Sequence, residues 1–126
     1  MVEPAFFDPF DSERLLSVTG GDQSLCHRLL EEFAQTAPRM LARCEIALDM
    51  CDAPNIERWA HTFKGSCATL GACTLTPLCQ QLEIAGKRND LELSAALLSS
   101  LHAEWLRVEP PLQQRLQLLA GLPRAA

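Results

Sequence analysis

Ile56-Glu57-Arg58-Trp59-Ala60-His61-Thr62-Phe63-Lys64-Gly65-Ser66-Cys67-Ala68-Thr69-Leu70-Gly71 is the stretch that decides the fold. Ile56, Ala60, Phe63, Cys67 and Leu70 recur at alternating gaps of four and three, the pattern of an amphipathic helix with one buried stripe, and Gly71 stops it. A helix turns about 100° per residue. With the middle of the apolar stripe as zero, Lys64 falls at roughly 80°, Glu57 near 100°, Ala68 at about 120°, His61 at about 140° and Gly65 at about 180°. His61 therefore points away from the core, and Lys64, Gly65, Glu57 and Ala68 share its strip.

Working outward, breakers divide the rest of the chain into further helices. Asp8 to Thr19 reads as a short first helix stopped by Gly20-Gly21. Asp22 is a good N-cap for a long second helix whose stripe is Cys26, Leu30, Phe33, Ala37, Met40, Cys44, Ala47 and Cys51, with Pro38 kinking rather than ending it. Asp52-Ala53-Pro54 turns the chain into the helix quoted above. Thr74 or Thr76 is expected to cap a fourth helix with Pro77 in its first turn and Leu75, Leu78, Leu82 and Ala85 inward. Asn89 to Glu92 resembles a capping box opening a fifth, with Leu98, Leu101, Trp105 and Val108 inward. Pro110-Pro111 is expected to interrupt it, leaving Leu112, Leu116 and Leu119 on a separate last helix. Short connections force antiparallel neighbours, so the expected fold is all-α: an up-down-up-down four-helix bundle. The short N-terminal helix, with Phe6, Phe7 and Phe10, would cap one end, and a short C-terminal helix would close the chain.

Composition narrows the function. At 126 residues the chain is expected to be a single domain, 1–126, too small for a cofactor-binding domain beside the bundle. Hydrophobic residues make up 48% with only 6% aromatic, a mix that favours packed helices over strands. A net charge of −5 argues against a nucleic-acid partner. No apolar run approaches membrane-spanning length and Met1-Val2-Glu3-Pro4 is no signal peptide, so a cytoplasmic location, no membrane partner and a free-standing monomer are expected. Six cysteines without Cys-x-x-Cys spacing, and histidines that are not clustered, imply no metal site. Reduced cysteines on apolar stripes serve as small hydrophobes.

The outward strip carries chemistry. A solvated imidazole titrates near neutral pH and offers a nucleophilic ring nitrogen. A phosphoryl group on it adds about two negative charges, which a lysine one turn away can balance. Gly65 costs about 1 kcal/mol against Ala in an exposed helix, and its missing side chain lets a partner approach. The three residue types alone do not separate such a site from an ordinary solvated strip.

The wider register does. Ala60-His61-x-Phe63-Lys64-Gly65-Ser66, then Leu70-Gly71-Ala72, Leu75, Leu78-Cys79 and Leu82-Glu83, resembles the signature of the histidine-containing phosphotransfer (HPt) domains of bacterial phosphorelays. Phe33 to Ala37-Pro38 upstream and Asn89-Asp90 downstream also fit, so the likeness covers about residues 22–108. Phe63 stands where Leu is commoner and Cys67 where Ser or Ala is; both face the core. The resemblance implies a carrier without its own ATP site rather than an enzyme. It would relay a phosphoryl group between aspartates of receiver domains, one in a hybrid sensor kinase and one in a response regulator. By position, His61 would be phosphorylated, Lys64 would be its charge partner, and Gly65, Ala68, Glu57 and Gly71 would form or flank the receiver-docking face. Gln80, Gln81 or Glu83 would orient the imidazole. The protein would need no cofactor, since Mg²⁺ is expected on the receiver. The alternative is a non-phosphorylated helical adaptor that binds a receiver or kinase. A sensor-kinase dimerisation domain fits less well, because Thr62 rather than an acid follows His61 and no Gly-rich ATP-lid segment exists.

Overall fold

The architecture comes from a computed structural model that describes residues 8–121. Five helices follow one another: α1 (Ser12–Thr19), α2 (Gln23–Asp49), α3 (Ala53–Leu70), α4 (Thr76–Lys87) and α5 (Leu91–Ala120). Helix α2 packs on α3 and α5, and α4 packs on the same two, which closes the four-helix bundle; α1 lies against α2 and α3. Among the described residues there is no β-strand, and no helix is long and apolar enough to cross a membrane.

Local chemistry sets most helix ends. The carboxylates of Asp11, Asp22, Asp52 and Asp90 each accept a backbone N–H of the helix that follows, satisfying donors that a helix start leaves open. Gly20 and Gly71 close α1 and α3 in the left-handed conformation. The fourth helix departs from the threonine-cap expectation. Leu75 occupies the N-cap with no side-chain hydrogen bond, and Thr76 donates back to the Ala72 carbonyl at 2.8 Å. Asp90, rather than Asn89, caps α5, and Asn89 makes the turn with φ +56°.

The core follows the stripes, with Cys26, Leu78, Leu116 and Leu119 half-buried at its margin, and departs from them at two places. On α2 it takes Leu41 fully, whereas Met40 is half-buried, and Cys51 lies exposed past the helix end with φ +53°. Helix α5 runs unbroken through Pro110 and Pro111, so the expected short C-terminal helix is its last turns. Two prolines remove the N–H groups that would bond the carbonyls of Leu106 and Arg107. Both of those residues are exposed, where water can serve the carbonyls, while Val108 and Leu112 stay buried on the core side. Phe33 is the hub of the upper core, with ring centroids 6.1 Å from Phe10, 6.5 Å from Phe63 and 5.9 Å from Trp105. Phe6 and Phe7 lie outside the described residues.

The segment before α1 is strapped to the α3–α4 connection. Asp11 N–H donates to the Gly71 carbonyl at 2.7 Å and Cys73 N–H to the Pro9 carbonyl at 3.0 Å. All six cysteines are free thiols. Cys44, Cys67 and Cys79 are buried; burial pushes the Cys44 thiol up to about 12, and a hydrogen bond with Cys79, reinforced by burial, raises that of Cys67. All three are core groups, and the raised values keep Cys44 and Cys67 in the unreactive thiol form.

Candidate functional site

His61 stands on the outer face of α3 with 67% of its side chain exposed, as its angle from the apolar stripe requires. Gly65 follows one turn later, and a Cβ built there would meet no atom within 4 Å. Ala68 is exposed, Lys64 and Glu57 half-buried. The strip is low and open along its length.

Of the three side chains expected near the imidazole, Glu83 is the one that reaches it. Its Oε2 lies 2.9 Å from His61 Nδ1 and its Oε1 lies 2.6 Å from Lys64 Nζ. Gln80 and Gln81 are exposed on either side. One carboxylate from α4 thus ties together two side chains of α3. The Lys64 ammonium holds the Glu83 carboxyl below the usual carboxylate range; burial opposes this and the His61 imidazole reinforces it. An ionised carboxylate only accepts, so Nδ1 is the donor in this contact. In a neutral imidazole that places the lone pair on Nε2, the nitrogen facing solvent.

Glu83 can reach because α4 approaches α3 very closely, and Gly86 permits that approach. A Cβ at Gly86 would lie 2.7 Å from the Glu57 backbone nitrogen and 3.1 Å from the Ala53 carbonyl oxygen. Sequence reasoning passed over Gly86. The available signal was a glycine inside a helical pattern, which lowers helix propensity and so calls for a packing reason. Gly71 has two local reasons of its own. Its φ is +67°, and a Cβ there would meet the Cβ atoms of Asp11 and Arg14 at 2.9 Å, so the face of Gly71 is covered by α1.

Glu32, Thr36, Thr62, Gly65 and Thr69 lie along a groove of about 340 Å³ between α2 and α3, on the side of His61 away from Glu83. Thr36, Thr62 and Thr69 donate their hydroxyls to carbonyls one turn back. Their donors are already satisfied, so a partner can cover them at little desolvation cost. Among the described residues no group of three or more His, Cys, Asp or Glu side chains is placed to hold a metal ion.

The comparisons agree with this geometry. No match was found among curated protein sequences. The chain is similar in structure to histidine-containing phosphotransfer protein B (HptB) of Pseudomonas aeruginosa PAO1, with 28% identity and a TM-score of 0.81 over 86% of this chain and 94% of that one. It shares the fold of the HPT domain of a sensor hybrid histidine kinase from Shewanella, at 22% identity and a TM-score of 0.75, covering 87% of this chain and 95% of that one. The Hpt domain family model matches residues 28–120. The chain belongs to the Hpt domain family, the histidine-containing phosphotransfer domains of phosphorelays.

Proposed function

We propose that His61 is the phosphorylated residue, receiving its phosphoryl group from a receiver aspartate and passing it to another. The observation that carries this is the Glu83 contact, which leaves Nε2 free on an exposed ring. Nε2 attacks phosphorus as the P–O bond to the receiver carboxylate breaks; an N–P bond forms and the carboxylate leaves. Nδ1 keeps its proton, so positive charge develops on the ring, and the Glu83 carboxylate 2.9 Å away offsets it. Lys64, at 2.6 Å from the same carboxylate, is one turn from His61 and balances the phosphoryl charge. Gly65 and Ala68 give the receiver its clearance, Glu57 and Gly71 flank that face, and Gln80 and Gln81 border it from α4.

The protein is a carrier without an ATP site of its own. The receiver supplies Mg²⁺ and the acidic pocket in which the in-line transfer occurs. The partners fit the receiver of a hybrid kinase and that of a response regulator, met by a cytoplasmic monomer. Incubation with phosphorylated receivers tests the reading. Acid-labile, alkali-stable label on the wild type, lost in His61→Gln, supports it. An unlabelled wild type across a receiver panel favours a non-phosphorylated adaptor instead.

A further inference from the structure

Besides its buried stripe, α2 carries a second one. Glu32, Thr36, Arg39, Arg43, Ile46 and Met50 recur at gaps of four and three, so they line one edge of the helix. That edge flanks α3, and toward its C-terminal end it meets Trp59. The half-buried indole has two guanidiniums over its ring, with Arg43 Cζ 5.1 Å and Arg58 Cζ 5.3 Å from the centroid. Neither arginine takes part in the ion pairs found among the described residues. Stacking on an aromatic face occupies the plane of a guanidinium but leaves its N–H edge free. Ile46 and Met50 continue the same edge, 55% and 73% exposed.

Two cations without an ion-pair partner among the described residues, in a chain of net charge −5, make a local positive spot with apolar neighbours. Trp, Arg and Met are the residue types that concentrate at the centres of protein interfaces. Arg58 lies three residues before His61, a rise of about 4.5 Å along the helix. A partner of standard size buries about 800 Å² on each side, a disc of about 16 Å radius. Centred on His61, such a footprint covers Trp59 and its two guanidiniums. The α4 side of His61 is of mixed charge, with Glu57 beside the α4 end that carries Lys87 and Arg88, whereas the α2 side presents Arg43 and Arg58 together on Trp59.

We propose that Arg43, Trp59 and Arg58 form a clamp that selects among receiver domains by gripping a surface Asp or Glu of the receiver, with an apolar side chain beside it on Ile46 and Met50. The clamp rests on the reading that a receiver docks at His61. Receivers with a basic side chain at that position meet like charge on the two arginines and are rejected. The test uses the receiver that transfers fastest in the panel. Arg43→Gln/Arg58→Gln should lower kcat/KM about tenfold at low salt and flatten its fall with added NaCl, as loss of charge steering requires. Arg107→Gln/Arg115→Gln makes the same charge change on α5, across the bundle from the His61 face of α3, and should do neither. Arg58→Lys, which keeps the charge but not the planar fork, should fall between. Because Trp105 is buried, acrylamide quenching reports mainly Trp59. Saturating receiver should shield it in the wild type and equally in His61→Gln, which cannot accept phosphate. An unchanged salt slope in the Arg43/Arg58 variant, an equal loss in the Arg107/Arg115 control, or unshielded Trp59 would overturn the clamp while leaving phosphotransfer intact. An unlabelled wild type with Trp59 still shielded would instead remove the transfer reading and keep the docking surface.

Discussion

Gly65 and Gly86 both sit inside helices, one on α3 and one on α4, and carry the same intrinsic penalty of about 1 kcal/mol against alanine. Their surroundings are opposite. Gly65 looks onto empty space, whereas Gly86 has the α3 backbone within 2.7 Å of where a Cβ would be. One absent side chain leaves a face open to a partner; the other lets two helices of the same molecule close together. The close side carries Glu83 to His61, and the open side leaves Nε2 of that histidine within reach of another protein.

Replacing each glycine by alanine should therefore give effects of opposite sign. Gly86→Ala puts a methyl into backbone that cannot move aside as a flexible side chain would, and overpacking of this kind costs about 1–3 kcal/mol. Urea unfolding should show a lower midpoint with an unchanged slope, and transfer should slow because Glu83 is displaced along with α4. Gly65→Ala meets nothing within 4 Å and should stabilise the helix by up to about 1 kcal/mol. Its transfer from a receiver should nevertheless fall, so stability and activity move apart. If Gly86→Ala unfolds no more easily than the wild type, the close approach of α4 is not what that glycine secures.

Glu83→Gln sharpens the same comparison from the chemical side. The amide keeps the size but loses the anion that faces His61 and Lys64, and misplacing the imidazole should slow phosphoryl acceptance about tenfold or more. The acid dependence has a definite sign. A carboxyl whose native pKa is lowered adds stability that is complete above its unfolded value, about 4.3, and is lost as pH falls through the native value. Stability of the wild type should thus fall more steeply than that of Glu83→Gln as the solution is acidified below about pH 4.3. The smallest expected effect is at the start of α5. Asp90→Ala removes the side chain that accepts the Leu93 N–H at 3.0 Å and should cost about 1 kcal/mol in thermal or urea unfolding, with transfer unaffected.

Much of this molecule is local and for that reason legible in the sequence. The α3 stripe placed Ile56, Ala60, Phe63, Cys67 and Leu70 inward, all of which are buried, and put His61 outside. The aspartate cap at 22 and the glycine stop at 71 act within a few residues of themselves, so reading along the chain finds them, whereas the cap of α5 falls on Asp90, one residue past the Asn89 that opens the expected capping box. Threonine capping of α4 was misread because Thr76 has a second local option, the carbonyl one turn back. Leu41, outside the four-three pattern that includes Met40, is the buried residue because a strict heptad drifts against 3.6 residues per turn over a helix as long as α2.

The sequence by itself determined the helices, their buried faces and the outward strip of His61, Lys64 and Gly65, since helical periodicity alone decides which residues share a side. Only the tertiary structure decided which of Gln80, Gln81 and Glu83 meets the imidazole. Those residues differ by about 100° per step around α4, and the contact spans 22 residues of sequence, so it depends on how closely and at what rotation α4 lies on α3. The same holds for Gly86, for the unbroken course of α5 through Pro110 and Pro111, and for the placing of Arg43 over Trp59. Each depends on the distance between two helices or on packing against the core, and neither is written in the pattern of a single segment.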